Sequence, residues 1–173
     1  NVHMFEVTLS GPGGGVTGVV RELAFPQEFV AALAPSDTTG GTVAIVPTKP
    51  LKQRTSYMAV LTKGITSSGT SVHSSLTYIL SDRTSALCVG GQSTTPALPA
   101  SQACALEPLR QLTNAQEAAA ASAGITAGTI ASPWVATTQS IQPTFQAIAR
   151  VASHAPPAGS TLSPAGKHAA GPG

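Results

Sequence analysis

The sequence predicts a mainly β fold, an antiparallel sandwich with one α-helix inserted before its last strand and a second helix at its C-terminal end. Two observations carry this expectation. Five short alternating or apolar runs fall within the first 65 residues, separated by clusters of Gly, Pro, Ser, Thr and Asp. Closely spaced strands divided by turn chemistry mark antiparallel sandwiches and barrels. Past residue 105 the apolar period lengthens from two to that of a helix, then shortens again before a second helical stretch.

Met4-Phe5-Glu6-Val7-Thr8-Leu9 alternates as a half-buried strand, and Ser10-Gly11-Pro12-Gly13-Gly14-Gly15 ends it as a hairpin turn. Residues 16–23 and 29–33 are the next two strands. Pro35-Ser36-Asp37-Thr38-Thr39-Gly40-Gly41 is a turn before Thr42-Val43-Ala44-Ile45-Val46, and Ser56-Tyr57-Met58-Ala59-Val60-Leu61-Thr62 is the strongest strand. A further strand-like piece covers Leu76–Leu80. The helix lies within 105–123, with Leu106, Leu109, Leu112, Ala119 and Ala123 on one face, and it is expected to begin within a few residues of Pro108. Gly124 and Ile125 suit its C-terminal cap. Residues 132–138 form the last strand, which Pro133 pushes to a sheet edge. Residues 143–152 form the second helix. A module spanning 1–152 is thus expected, followed by a flexible Pro/Ala/Gly linker over 153–173.

Charged residues make up 9% of the chain, against roughly 25% in ordinary soluble domains. The nine basic residues are scattered singly, which argues against a nucleic-acid partner. No run of 18 apolar residues spans a membrane. Asn1-Val2-His3-Met4 runs straight into a strand, so the chain reads as the middle of a longer protein. Cys88 and Cys104 bracket a loop poor in apolar residues. A disulfide is preferred over two free thiols, and it implies an oxidising compartment.

Four blocks together resemble the N-terminal domain of bacterial virulence-factor lipases. They are Val43-Ala44-Ile45-Val46-Pro47-Thr48-Lys49-Pro50-Leu51-Lys52, then residues 55–65 from Thr55-Ser56-Tyr57 to Lys63-Gly64-Ile65, then Ala105-Leu106-Glu107-Pro108-Leu109-Arg110-Gln111-Leu112, and finally Trp134-Val135-Ala136-Thr137-Thr138-Gln139-Ser140. Their order and spacing match over about residues 2–150. The resemblance implies an Ig-like sandwich that precedes a serine α/β-hydrolase domain, in a protein that is extracellular or on the bacterial outer-membrane surface. That family's domain starts well before the position matching Asn1, so a sheet edge is expected to stand unpaired and to invite self-association. The match ends where the hydrolase domain would begin, so the implied role is a non-catalytic accessory module. A stand-alone Ig-like binding or adhesion module is the alternative.

The residues read the same way for chemistry. Gly-x-Ser-x-Gly, the strand-to-helix nucleophile turn, does not occur; Gly91-Gln92-Ser93-Thr94-Thr95 is the nearest approach and reads as loop. His3, His73, His154 and His168 lie in turns, before a strand or in the tail, so no catalytic residue is assigned. No cofactor and no metal ligand is assigned, because no acidic, His or Cys pair stands at i, i+4 on a predicted helix. Gly11 to Gly15 lacks the Lys-Ser/Thr ending of a phosphate loop. Trp134 is expected in the core, and Glu107 with Arg110 as a surface pair worth under about 1 kcal/mol.

Overall fold

The structure, a computed structural model, describes residues 1–34, 36–38, 41–67, 69–71, 73–140 and 142–153. Among the described residues, ten strands and three α-helices follow in chain order: β1 (Val2–Leu9), β2 (Val16–Glu22), β3 (Phe29–Leu33), β4 (Val43–Pro47), β5 (Ser56–Thr62), β6 (Thr66–Ser67), β7 (Thr70–Ser71), α1 (Leu76–Ser81), β8 (Cys88–Val89), β9 (Gln92–Ser93), α2 (Ala100–Ser122), β10 (Ile130–Thr137) and α3 (Gln142–Ser153). The fold is β-rich and its sheets are antiparallel. The main sheet has four strands in the order β10-β5-β1-β2, and β3 with β4 forms a separate two-stranded ribbon. Asn1–Gln139 is one compact unit, and α3 belongs to a second. In α3 the apolar residues Phe145, Ile148 and Val151 recur every three positions. No helix among the described residues is long and apolar enough to cross a membrane.

The period of two in β1 and β5 sorts their side chains onto two faces. Phe5, Val7, Met58 and Val60 point to one side, where they pack with Val16, Ile130 and the small residues Ala119 and Ala120 of α2. Met4 and Tyr57 point to the other, where they meet Leu23 and, from the ribbon, Phe29 and Ile45. The main sheet is therefore covered by a helix on one face and by the ribbon on the other. The β1–β2 turn closes through Ser10 N–H to the Gly15 carbonyl and Gly14 N–H to the Gly11 carbonyl, both 3.0 Å, with Gly13 at φ +69°.

β10 lies at the sheet edge, as Pro133 led the sequence to predict. Thr138 N–H donates to the Thr55 carbonyl at 2.9 Å, in register with Trp134 opposite Ala59. The even-numbered N–H groups thus face β5, and Pro133 takes an outward place where its missing N–H interrupts no ladder bond. At the other end of the connection, α2 stops in the expected way. Ile125 N–H reaches the Ala120 carbonyl at 3.0 Å across Gly124, whose φ is +91°.

Three expectations are corrected. Leu76–Leu80 is helical, because Ser75 caps it: the Ser75 hydroxyl accepts from Tyr78 N–H at 3.2 Å. The second correction concerns Pro108, which lies inside α2 and not at its start. The helix runs through it, and the turn that precedes it is held from outside. Cys104 is bonded to Cys88, and Glu107 accepts from Leu87 N–H at 2.7 Å. The third is the Glu107–Arg110 pair, whose side chains are only 15% and 12% exposed. Arg110 grips the carboxylate with Nη2 at 2.7 Å and Nε at 3.0 Å, and its Nη1 reaches the Arg83 and Thr84 carbonyls. This pair ties the disulfide loop to the helix.

The Cys88–Cys104 disulfide is present and pins the β8–β9 hairpin to α2. Replacing both cysteines by Ser is expected to cost about 3 kcal/mol, the loop-closure value for a bridge of this span. Thermal unfolding with and without reductant measures it, and an unchanged midpoint would show that the loop is held by Glu107 and Arg110 alone.

Candidate functional site

The ribbon does not reach across the whole main sheet, and the gap is a cleft of about 310 Å³. Its walls follow from strand register. Trp134 and Ala136 of β10 stand opposite Ala59 and Tyr57 of β5, on the face turned toward the ribbon. From the ribbon side come Val43, Ile45 and Pro47, and Leu51 follows from the next connection. Met4 lies in the floor, and Thr137 and Thr138 border the edge. Such a concave apolar surface with a few polar groups suits the binding of an apolar group.

Trp134 is the residue the sequence misplaced. It is 41% exposed at the mouth of the cleft, because an edge strand has a neighbour on one side only and the ribbon stops short of it. Tyr57, in contrast, is buried, and its hydroxyl accepts from Lys52 N–H at 3.0 Å. The Thr138 hydroxyl donates to the Lys52 carbonyl at 2.6 Å and accepts from Thr55 N–H at 3.0 Å. These bonds tie the 48–55 connection to β5 and the end of β10, which fixes one end of the cleft.

A charged network lies on the same side of the sheet. Glu6 is buried on β1 and accepts from Lys52 Nζ at 2.9 Å and from Arg21 Nε at 3.3 Å. Lys52 first, then Arg21, holds its carboxyl below the ordinary value against the opposing effect of burial. Arg21 also donates to Glu28 at 2.8 Å. That bond, with one from Ala24 N–H, holds the Glu28 carboxyl at about 2. Each carboxylate here is already matched by a cation, so the network's evident work is to join β1, β2 and the two connections around the ribbon.

The sequence candidates for acyl chemistry are placed apart. His3 lies in β1 with Nδ1 2.8 Å from Glu22 of β2. Ser93 is on the β8–β9 hairpin and its hydroxyl donates to the Thr95 carbonyl at 2.8 Å. His73 is exposed in the connection before α1. His154 and His168 lie outside the described residues, as does the linker after Ser153. Among the described residues no group of three His, Cys, Asp or Glu side chains is arranged to hold a metal ion. Sequence reading missed the cleft itself, since its walls come from strands far apart in the chain; the lone Trp on an edge strand was the available signal. No protein-family model, curated protein or solved structure matches this chain.

Proposed function

We propose that this chain is a non-catalytic interaction module of an exported bacterial protein, and that it serves as the N-terminal accessory domain of a lipase whose α/β-hydrolase domain lies downstream. One observation carries the reading. Every residue lining the cleft except Met4 comes from three of the four blocks that resemble the lipase N-terminal domain: 43–52, 55–65 and 134–140. The same blocks also supply Met58, Val60 and Val135 to the helix-side core. Their remaining apolar residues on the ribbon side meet at one open concave surface, which suits the seating of a partner domain. The disulfide supports the exported setting. The ribbon lying across the main sheet supports an Ig-like sandwich in reduced form, with α2 in place of further strands on the other face.

The parent reading frame tests the proposal. A Gly-x-Ser-x-Gly strand-turn-helix is expected within a few hundred residues downstream, and the domain containing it is expected to bind this chain. Trp134 is the single tryptophan, so its fluorescence reports directly on the cleft. Binding is expected to change that emission, and Trp134→Ser, checked for folding by circular dichroism, is expected to weaken binding by at least about tenfold, as loss of an aromatic anchor does. This chain alone is expected not to hydrolyse a p-nitrophenyl ester above buffer. A frame without a hydrolase segment would transfer the cleft to the other reading, a stand-alone binding or adhesion module.

A further inference from the structure

On the opposite face of the molecule, α1 is attached to α2 mainly by polar contacts. Its apolar residues Leu76 and Ile79 are exposed, while Arg110, Asn114 and Glu117, spaced four and three apart on α2, reach toward it. Arg110 Nη1 donates to the Arg83 and Thr84 carbonyls at 3.1 Å, and Asn114 Nδ2 to the Ser81 and Arg83 carbonyls at 3.2 Å. These two side chains satisfy the last carbonyl of α1, that of Ser81, and the carbonyls of the chain just past its end. Glu117 makes the remaining contact, accepting from the Tyr78 hydroxyl. Tyr78 itself packs against the helix-side core.

Of the three, only Glu117 can change its charge in a useful range, since Arg110 is a fixed cation and Asn114 is neutral. Glu117 is 8% exposed. The groups that act on it are Tyr78 of α1, Asp82 just past the end of α1, and Lys63 from the turn after β5. The other elements against α2 add little: β8, β9, β10 and the 127–129 turn carry no titratable side chain apart from the bonded Cys88. On β2, Arg21 is engaged by Glu6 and Glu28, and Glu22 by His3. Burial pushes the Glu117 carboxyl up to about 7, and the hydrogen bond and negative charge of Asp82 add to this, against the pull of Tyr78 and Lys63.

We propose that α1 is a pH-controlled latch, docked on α2 while the buried Glu117 carboxyl carries its proton and lifted when that proton leaves. Without the proton a charged carboxylate is held almost out of water in the α1–α2 contact. Lifting α1 carries Asp82 away and lets water reach Glu117. The docked form binds the proton more tightly than the lifted form, so rising pH must favour lifting. The sign follows from a value raised above the ordinary 4.5: docking is strongest below about pH 4.5 and weakens as the pH rises through about 7. The lifted state uncovers the part of the core that Tyr78 covers.

Amide exchange of the whole chain, corrected for the intrinsic pH dependence of exchange, tests the latch. Between about pH 5 and about pH 8, protection in α1 is expected to fall on the order of 100-fold while β5 keeps its protection. Glu117→Gln keeps an acceptor for Tyr78 but cannot ionise, and its α1 protection is expected to stay level. Asp82→Asn is expected to move the fall to lower pH. Equal protection at both pH values, or the same fall in Glu117→Gln, overturns the proposal. If Glu117→Gln does not fold, Tyr78→Phe replaces it. Loss of the bond that favours the charged form then moves the fall to higher pH, and an unmoved midpoint overturns the latch.

Discussion

Met58→Ala is expected to destabilise the Asn1–Gln139 unit by about 4 kcal/mol, enough to lower the unfolding midpoint by roughly 10 °C or more. Met58 is fully buried on β5, an inner strand with β1 and β10 on its two sides. It stands opposite Phe5 on one and Val135 on the other. Across from this face α2 presents Ala119 and Ala120, which have no reach to refill the space. A cavity there stays open, and such sites fall in the upper part of the cost range for Met→Ala. Met58→Leu conserves volume and is expected to cost under about 1.5 kcal/mol. Urea titration of both variants measures the difference. A cost near 1 kcal/mol for Met58→Ala would mean that α2 can settle onto the sheet, contrary to the packing described.

The second large effect is expected at Glu107. Its carboxylate accepts from Leu87 N–H, from Arg110 through two nitrogens and from Gln111. Glu107→Ala leaves a poorly exposed guanidinium unpaired and the N–H of the fully buried Leu87 without this acceptor. The expected cost is about 3 kcal/mol. Glu107→Gln keeps one acceptor and is expected to cost less. The pH dependence has a definite sign. Arg110 first, then Leu87 N–H and Gln111, hold the Glu107 carboxyl at about 2, with burial opposing them. A depressed value means that this contribution is complete above about pH 4.5 and is lost as the pH falls toward 2. Glu117 acts in the opposite sense, because its contribution declines as the pH rises from 4.5 through about 7. Stability measured by denaturant across this range is expected to peak near pH 4.5 to 5, with the acid limb flattened in Glu107→Ala and the neutral limb flattened in Glu117→Gln. A wild-type curve that rises steadily to pH 8 would contradict the second of these assignments.

Much of the fold is written locally in the sequence. Short apolar runs over 29–33 and 56–62 mark β3 and β5 with their ends, and β5 is apolar at successive positions because both faces of the main sheet are covered. Gly13 and Gly124 mark a turn and a cap through backbone conformations that favour glycine. Pro133 marks an edge because it lacks a donor, and the two cysteines mark their own bond. The tertiary structure decided the rest. Leu76–Leu80 suits either a strand or a helix by its apolar content, and the polar grip of α2 supports the helical form that Ser75 starts. Pro108 reads as a helix start, but in the fold α2 begins at Ala100 and the disulfide and Glu107 hold the turn before the proline. Trp134 reads as core until the ribbon falls short of β10. Glu117 carries no mark in its alanine-rich run, since its character depends on Tyr78, 39 residues earlier in the chain. Backbone preference acts between near neighbours in the chain. Burial, charge pairing and the reach of one layer over another depend on which distant segments meet, and only the folded chain brings those segments together.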